Sequence, residues 1–341
     1  MRVLVSIISE QTIPNLLVVK ELNGSYDSLL FITTRTIESQ GKSIFIERAL
    51  RISEGSIQRI VVPSNNYYDV LTILESADIC REDVFIVNMT GGTKLMMLGA
   101  FTFFSKLKSQ FVYLAIESNS LVELNPKQHV DNSPIKYSIS VGEYLTAHGL
   151  YFTNGSTTYS NKFTSEIFEK FKKNKFKREA MDEFINAHSC ADSSDKTYFS
   201  GGWFEEYCYF KIKKALKLKD SEIMLNVKIY SNPDEVRNDN EFDILYVKDN
   251  ALRVIECKYQ LGKESNIKQN IDGYLNKLGA ISKNFGIKAS PALITLADLD
   301  RINPISLKSI MSKSSVVGVK KIVSSSSFKS EDVLKETIQQ L

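Results

Sequence analysis

Glu241-Phe242-Asp243-Ile244-Leu245-Tyr246-Val247-Lys248-Asp249-Asn250-Ala251-Leu252-Arg253-Val254-Ile255-Glu256-Cys257-Lys258 reads as two β-strands joined at Asp249-Asn250. Side-chain alternation puts Asp243, Leu245 and Val247 on one face of the first strand, and Leu252, Val254, Glu256 and Lys258 on one face of the second. If the turn has two residues, Asp243 stands opposite Glu256, Leu245 opposite Val254 and Val247 opposite Leu252, with Cβ atoms roughly 5 Å apart. Two carboxylates at that spacing can share one divalent cation.

Like charges facing each other across a ladder repel, so an apolar face that ends in an Asp/Glu pair calls for a compensating charge. Mg²⁺ or Mn²⁺ supplies it through oxygen ligands, water and substrate phosphate, and makes hydroxide available near neutral pH. Lys258, on the same face as Glu256, is placed to hold an attacking water or a developing phosphorane charge. The pattern is that of a metal-dependent nuclease site. Its plain alternative is a solvated hairpin end with a weak Glu256–Lys258 surface pair.

A third element lies upstream. In Gly201-Gly202-Trp203-Phe204-Glu205-Glu206-Tyr207-Cys208-Tyr209-Phe210 the apolar residues recur at helical spacing, which makes Trp203, Phe204, Tyr207 and Phe210 a buried stripe and sets Glu205 near the helix start. Gly-x-x-Glu on a helix, Asp on a strand and Glu-x-Lys on the next strand together resemble the PD-(D/E)xK nucleases. The resemblance implies catalytic roles for Glu205, Asp243, Glu256 and Lys258, with Mn²⁺ or Mg²⁺ held by Asp243, Glu256 and the Cys257 carbonyl. Phe242 stands where the family has a proline. Glu205 fits the spacing better than Glu206, although either can point inward.

The first half carries a second signal, Asp83-Val84-Phe85-Ile86-Val87-Asn88-Met89-Thr90-Gly91-Gly92-Thr93-Lys94, an apolar strand running through a glycine turn into a helix. The glycines allow close backbone approach, Thr90 or Thr93 can cap, and free N–H groups with Lys94 make an anion site. It is neither a Walker A loop nor a G-x-G-x-x-G fingerprint, which argues against a dinucleotide-dependent oxidoreductase. The opening strand ends in a comparable polar loop, Ser9-Glu10-Gln11-Thr12-Ile13-Pro14-Asn15. Asn-x-Thr-Gly-Gly-Thr-Lys after a central strand resembles CARF domains, the cyclic-oligoadenylate sensors of type III CRISPR immunity. The resemblance implies a ligand site built from Ser9, Glu10, Gln11, Pro14, Asn15, Asn88, Thr90, Gly91, Gly92, Thr93 and Lys94. It also implies a homodimer with cyclic tetra-adenylate across its axis, allosteric closure of the nuclease halves around nucleic acid, and a role in antiviral defence.

At 341 residues the chain exceeds the ~250–300 at which single cores stop growing, and 43% hydrophobic with 24% charged residues is ordinary for a globular protein. Strands alternate with helices through residue 115, which predicts a Rossmann-like doubly wound parallel sheet, extended by strands at 119–125 and 136–148. The expected organisation is a sensor over 1–150, a linker over 151–163 and a restriction-endonuclease-like mixed α/β domain over 164–341. One unbroken helix is expected over 36–51. Cys80, Cys190, Cys208 and Cys257 form no CxxC pair, and His129, His148 and His188 fall in no ligand spacing, which argues against zinc and disulfides. With no apolar run of membrane length and no signal-like start, a cytoplasmic protein without a membrane partner is expected.

Residues 1–150 hold 13 Lys/Arg against 15 Asp/Glu and the remainder 30 against 25, so the second half is the better polyanion binder. Its basic residues gather in 162–178 and at Lys211, Lys213, Lys214, Lys217 and Lys219, a face for phosphates or for solvent. Lys263, Asn266, Lys268, Gln269 and Tyr274 occupy a polar helix after the hairpin, another place for backbone contacts. Taken together, the expectation is a cyclic tetra-adenylate-activated, metal-dependent endonuclease acting on DNA, single-stranded or nicked in duplex, with RNA also open. The alternative is a nucleotide-sensing regulator that binds nucleic acid without cutting it.

Overall fold

In a computed structural model the strand that opens the chain, β1 (Arg2–Ile7), lies inside a seven-stranded sheet, with Leu4, Val5, Ser6 and Ile7 fully buried. The structure describes residues 1–124, 132–173, 198–232, 234, 240–259, 266–282, 285–286 and 289–341. His129, His188, Cys190, Lys263 and the basic residues 174–178 lie outside the described residues. The chain divides into two units, Met1–Tyr151 and Phe152–Leu341.

In the first unit β1 is followed by α1 (Thr12–Glu21), β2 (Ser28–Thr33), α2 (Arg35–Ser39), α3 (Lys42–Leu50), β3 (Gln58–Val61), α4 (Tyr67–Ser76), β4 (Val84–Asn88), α5 (Lys94–Phe104), β5 (Lys108–Ala115), β6 (Ser120–Glu123), β7 (Ser133–Pro134) and α6 (Val141–Ala147). The sheet order is β3-β2-β1-β4-β5-β6-β7, parallel as far as β5 and antiparallel beyond it. Near-continuous apolar runs such as Val3–Ile8 suit central parallel strands, which are covered on both faces. From β1 the chain winds one way to β2 and β3, and from β4 the other way to β5. The topological switch therefore falls between β1 and β4, whose carboxyl ends are where ligands bind in such sheets.

Two sequence expectations need correcting here. The helix expected over 36–51 is broken in two at Gly41, whose φ of 70° ends one helix and starts the next. The strand expected over 136–148 is largely α6. Ser140 and Glu143 form a capping box, the Ser140 hydroxyl accepting from the Glu143 N–H at 3.1 Å and the Glu143 carboxylate from the Ser140 N–H at 3.0 Å. That local signal outweighs the β-branched and aromatic residues around it.

The second unit contains β8 (Tyr151–Gly155), α7 (Asn161–Lys173), a wide turn at Tyr198–Gly202, α8 (Trp203–Leu216), β9 (Ile223–Tyr230), β10 (Asn240–Lys248), β11 (Ala251–Lys258), α9 (Ile267–Ser282), β12 (Ser290–Thr295), α10 (Pro304–Val317), β13 (Lys321–Val323) and α11 (Glu331–Gln339). Its sheet runs β13-β12-β11-β10-β9-β8. The stretch expected as linker is therefore partly ordered: β8 is an edge strand beside β9, and α7 begins at Asn161.

The β10–β11 register is Ile244↔Ile255, Leu245↔Val254 and Val247↔Leu252, as the two-residue turn requires. Asp249 and Asn250 both take left-handed backbone, φ 52° and 56°, the conformation whose twist matches the flanking strands. Behind the sheet the aromatic stripe of α8 packs into the core: Trp203 and Phe204 are fully buried and Tyr207 is 3% exposed, with the Phe168 ring of α7 stacked on Tyr207 at 4.3 Å. These rings are core rather than stacking platforms for bases. β12 runs parallel to β11, placing Leu293 beside Glu256 and Thr295 beside Lys258.

Candidate functional site

At the end of the β10–β11 hairpin, one register step beyond Ile244↔Ile255, Asp243 and Glu256 meet. The Cys257 backbone N–H donates to Asp243 Oδ2 at 2.7 Å, and Lys258 Nζ donates to the same oxygen at 3.1 Å. Lys258 Nζ also lies 3.0 Å from Glu256 Oε1, so its ammonium bridges the two carboxylates. Glu256 is 3% exposed. A buried carboxylate is tolerated only where charge and hydrogen bonds compensate it.

Glu205 faces this pair from the first turn of α8. Burial, then the negative charges of Asp243 and Glu256, push its carboxyl up to about 8. Burial, then Glu256, raises Asp243 to about 6. Burial works against charge on Lys258, yet Asp243 and Glu256 hold its ammonium well above the usual lysine range. Glu206 has a different fate. Its carboxylate accepts from Tyr198 OH at 2.8 Å, from Tyr159 N–H at 3.2 Å and from Thr158 N–H, which ties the approach to α7 onto α8. Neighbouring positions on a helix point about 100° apart, and here one glutamate faces Asp243 and Glu256 while the other anchors a loop.

One participant was not singled out from the sequence. Lys277 of α9 places Nζ 3.3 Å from both Glu256 oxygens. The candidates named on that helix fare differently: Lys268 pairs along the helix with Asp272 at 3.2 Å, whereas the Tyr274 ring lies 5.5 Å from Lys258 Nζ. The available signal was the buried stripe Ile271, Leu275 and Leu278, which leaves Tyr274 and Lys277 as neighbours one turn apart.

The donor chemistry here fits a hard divalent cation. The groups are carboxylate oxygens, the raised proton affinities of Asp243 and Glu205 report a local shortage of positive charge, and ammonium groups stand where that charge is wanted. Among the described residues no three acidic, histidine or cysteine side chains converge on one point as they stand. The Cys257 thiol is buried and packs in the core with Cys208, so only the Cys257 main chain is available to the site.

The second group of sequence candidates gathers at the switch point of the first unit. Ser6 of β1 stands in register beside Asn88 of β4. The Ser6 hydroxyl accepts from Asn15 Nδ2 at 3.0 Å and from Asn88 Nδ2 at 2.9 Å, tying both loops to one buried point. Asn88 Oδ1 accepts from the Thr90 N–H at 3.0 Å and the Thr90 hydroxyl at 2.6 Å, and Thr90 Oγ1 accepts from the Leu114 N–H at 2.8 Å. Gly91 packs on the Ile7 carbonyl. Gly92 has φ 77°, and the Thr93 hydroxyl accepts from the Met96 N–H at 3.3 Å to cap α5.

Asn15 and Asn88 are fully buried, so the structure makes them internal struts rather than surfaces for a ligand. Glu10, Gly92, Thr93 and Lys94 are exposed, while Ser9, Gln11, Pro14 and Thr90 are half-buried. Ser6, a lone hydroxyl in an apolar strand, was overlooked because it breaks no periodicity. The lysines of α8 are partly spent on local acids: Lys211 pairs with Glu331 at 2.7 Å and Lys213 with Asp220. That weakens their candidacy as a phosphate face. No helix among the described residues is long and apolar enough to cross a membrane.

A doubly wound sheet with a glycine loop at its switch point, followed by a mixed sheet whose central hairpin ends in Asp, Glu-x-Lys and a helical Glu, is the build of a CARF sensor joined to a PD-(D/E)xK-type nuclease. Residues 3–144 match the Card1 CARF domain and residues 192–328 the Card1-like endonuclease domain. The chain belongs to this family of CARF-domain endonucleases. No curated protein matches it in sequence. Among solved structures it is similar to Can2 from Sulfobacillus thermosulfidooxidans in complex with cyclic tetra-adenylate, at 19% identity and TM-score 0.73 over 99% of each chain. Protein VC1899 from Vibrio cholerae has 17% identity and TM-score 0.74 over 99% of this chain and 97% of that one. A type III CRISPR defence DNA nuclease activated by cyclic oligoadenylate has 15% identity and TM-score 0.58, covering 86% of this chain, which spans 45% of that longer one. At these identities the likeness is one of fold.

Proposed function

We propose that the protein is a cyclic tetra-adenylate-activated, Mn²⁺- or Mg²⁺-dependent endonuclease of type III CRISPR defence that hydrolyses phosphodiesters of DNA, single-stranded or by nicking duplex, with RNA the substrate to be tested beside it. The observation that carries this reading is the hairpin end where Lys258 bridges Asp243 and Glu256 with Glu205 beside them. Asp243, Glu256 and the Cys257 carbonyl would hold the cation. When bound, it supplies a Lewis acid for the scissile phosphate and lowers the pKa of water. The Cys257 N–H and Lys258 fix the orientation of Asp243. Lys258 stays charged at neutral pH, so it serves as a donor to attacking water and to the oxygen on which charge grows, not as a base. Glu205 orients the water and accepts its proton.

The raised carboxyls give this reading a pH signature. Their protonated forms stabilise the fold at low pH, and that contribution is lost as pH climbs through about 6 for Asp243 and about 8 for Glu205. In EDTA the melting temperature is expected to fall across this window, and Glu205→Gln should flatten the slope. Cation binding must displace the same protons, so Mn²⁺ affinity should rise from pH 6 to 8. Calorimetry in two buffers of different ionisation enthalpy measures the release. An affinity that does not change with pH would contradict the assignment.

In the sensor, Lys94 and the exposed N–H groups at the start of α5 offer an anion site for the ligand's phosphates. Leu95, Leu98 and Phe101, at 38%, 49% and 40% exposure, form an apolar stripe along the same helix that suits a two-fold contact with a second copy. Activation then requires the ligand to favour the cutting-competent state, with reciprocal coupling between the two sites. Lys94→Ala is expected to lose ligand-stimulated cleavage by about tenfold or more while Mn²⁺ binding is kept. The deciding experiment incubates labelled single-stranded DNA, supercoiled plasmid and RNA with Mn²⁺, with and without cyclic tetra-adenylate. Cutting that needs both additives supports the reading; ligand binding with no cutting of any substrate turns the protein into a non-catalytic sensor.

A further inference from the structure

Glu256 is held by two lysines, and the Glu-x-Lys pattern accounts for only one. Lys258 follows it on the same strand face. Lys277 comes from a separate helix, and its Nζ lies 3.3 Å from both carboxylate oxygens. The two ends of that contact see different surroundings, the Glu256 side chain being 3% exposed and the Lys277 side chain 44%. The lysine therefore reaches from solvent into the site. Ile271, Leu275 and Leu278 anchor α9 in the core, and the Tyr274 ring, one turn before Lys277, lies 5.5 Å from Lys258 Nζ. The helix backbone is thus fixed while the four-carbon stem of Lys277 stays free to turn.

Charge counting shows what the second lysine is for. Once a divalent cation has displaced the protons of the raised carboxyls, the three carboxylates of Glu205, Asp243 and Glu256, the two ammonium groups and the cation sum to one positive charge, which a single phosphodiester neutralises. Without Lys277 the loaded site would be neutral and would exert no net attraction on the strand. A divalent cation on Glu256 would repel an ammonium group held 3.3 Å from the same carboxylate, and Lys277, with its side chain 44% exposed against 24% for Lys258, is the lysine free to leave.

Resting on the nuclease reading above, we propose that Lys277 is a substrate-contacting residue of this site. Its ammonium neutralises Glu256 in the cation-free protein and passes to a phosphate of the bound strand when Glu256 takes the cation. The lysine thus competes with the cation in one state and assists the substrate in the other.

The test uses the full-length protein with Lys277→Gln and Lys277→Arg. Mn²⁺ binding is titrated by electron paramagnetic resonance without nucleic acid, and cleavage is measured at saturating Mn²⁺ and cyclic tetra-adenylate. Lys277→Gln is expected to bind Mn²⁺ about threefold or more tightly, because a competing charge is gone, while its KM for nucleic acid rises about fivefold and kcat falls less. Lys277→Arg should keep KM near wild type. Wild-type Mn²⁺ affinity and wild-type KM in Lys277→Gln would overturn the proposal, as would a change confined to melting temperature. If the wild-type protein binds Mn²⁺ yet cuts none of the three substrates, the nuclease reading itself fails, whatever the variants do.

Discussion

Glu256→Gln is expected to reduce cleavage by about 10³-fold or more while leaving cyclic tetra-adenylate binding unchanged. The substitution preserves shape, and the amide oxygen can still accept from Lys258. What it removes is one negative charge where two ammonium groups converge. Lys258 and Lys277 then face Asp243 with the metal-holding pair halved, and the site repels the cation it is built to attract. Mn²⁺ binding should weaken in parallel with cleavage, whereas calorimetric titration with the cyclic ligand reports on the other unit and should match wild type. Retention of a tenth or more of the cleavage rate would show that Glu256 is no part of the chemistry.

Gly91→Ala is expected to cost about 2–4 kcal/mol of stability in the first unit and to abolish the response to ligand. A Cβ at Gly91 would lie 1.9 Å from the Ile7 carbonyl oxygen and 3.3 Å from Asn15 Nδ2. The first obstacle is backbone, so no rotamer change relieves it. To make room, the loop must lift away from β1, breaking the arrangement in which Ser6 holds Asn15 and Asn88 together. Thermal melting and ligand titration check the outcome; wild-type values in both would mean the close approach is not needed. Metal binding in the second unit should persist, which separates a damaged sensor from a globally unfolded protein.

Much of this fold is legible in the chain because its periods are unambiguous. Apolar runs alternating with helical segments spell out the first sheet, and alternation about Asp249-Asn250 gives the hairpin register residue by residue. Legibility ends where tertiary packing chooses among local equivalents. Glu205 and Glu206 are adjacent, and only the packing of α8 on the sheet decides which meets Asp243 and which anchors Thr158 and Tyr159. Lys277 is one of two lysines on α9, and the buried stripe of Ile271, Leu275 and Leu278 gives its face, but only the docking of α9 beside β11 brings it rather than Lys268 to Glu256. Ser6 carries no pattern at all. By contrast α6 was available to a closer reading, because Ser140 and Glu143 stand at capping-box spacing.

The two left-handed residues of the β10–β11 turn lie six and seven positions from Asp243, roughly 20 Å along the strand. Turn length is nonetheless a catalytic variable. One inserted residue would slide Asp243 out of line with Glu256 and flip half the hairpin's side chains to the opposite face. Substitutions at the tip are cheap so long as they accept that backbone, but insertions there are not. The tip therefore works as a ruler, and lineages of this chain should hold its length at two residues while drawing both from the few types that accept left-handed backbone.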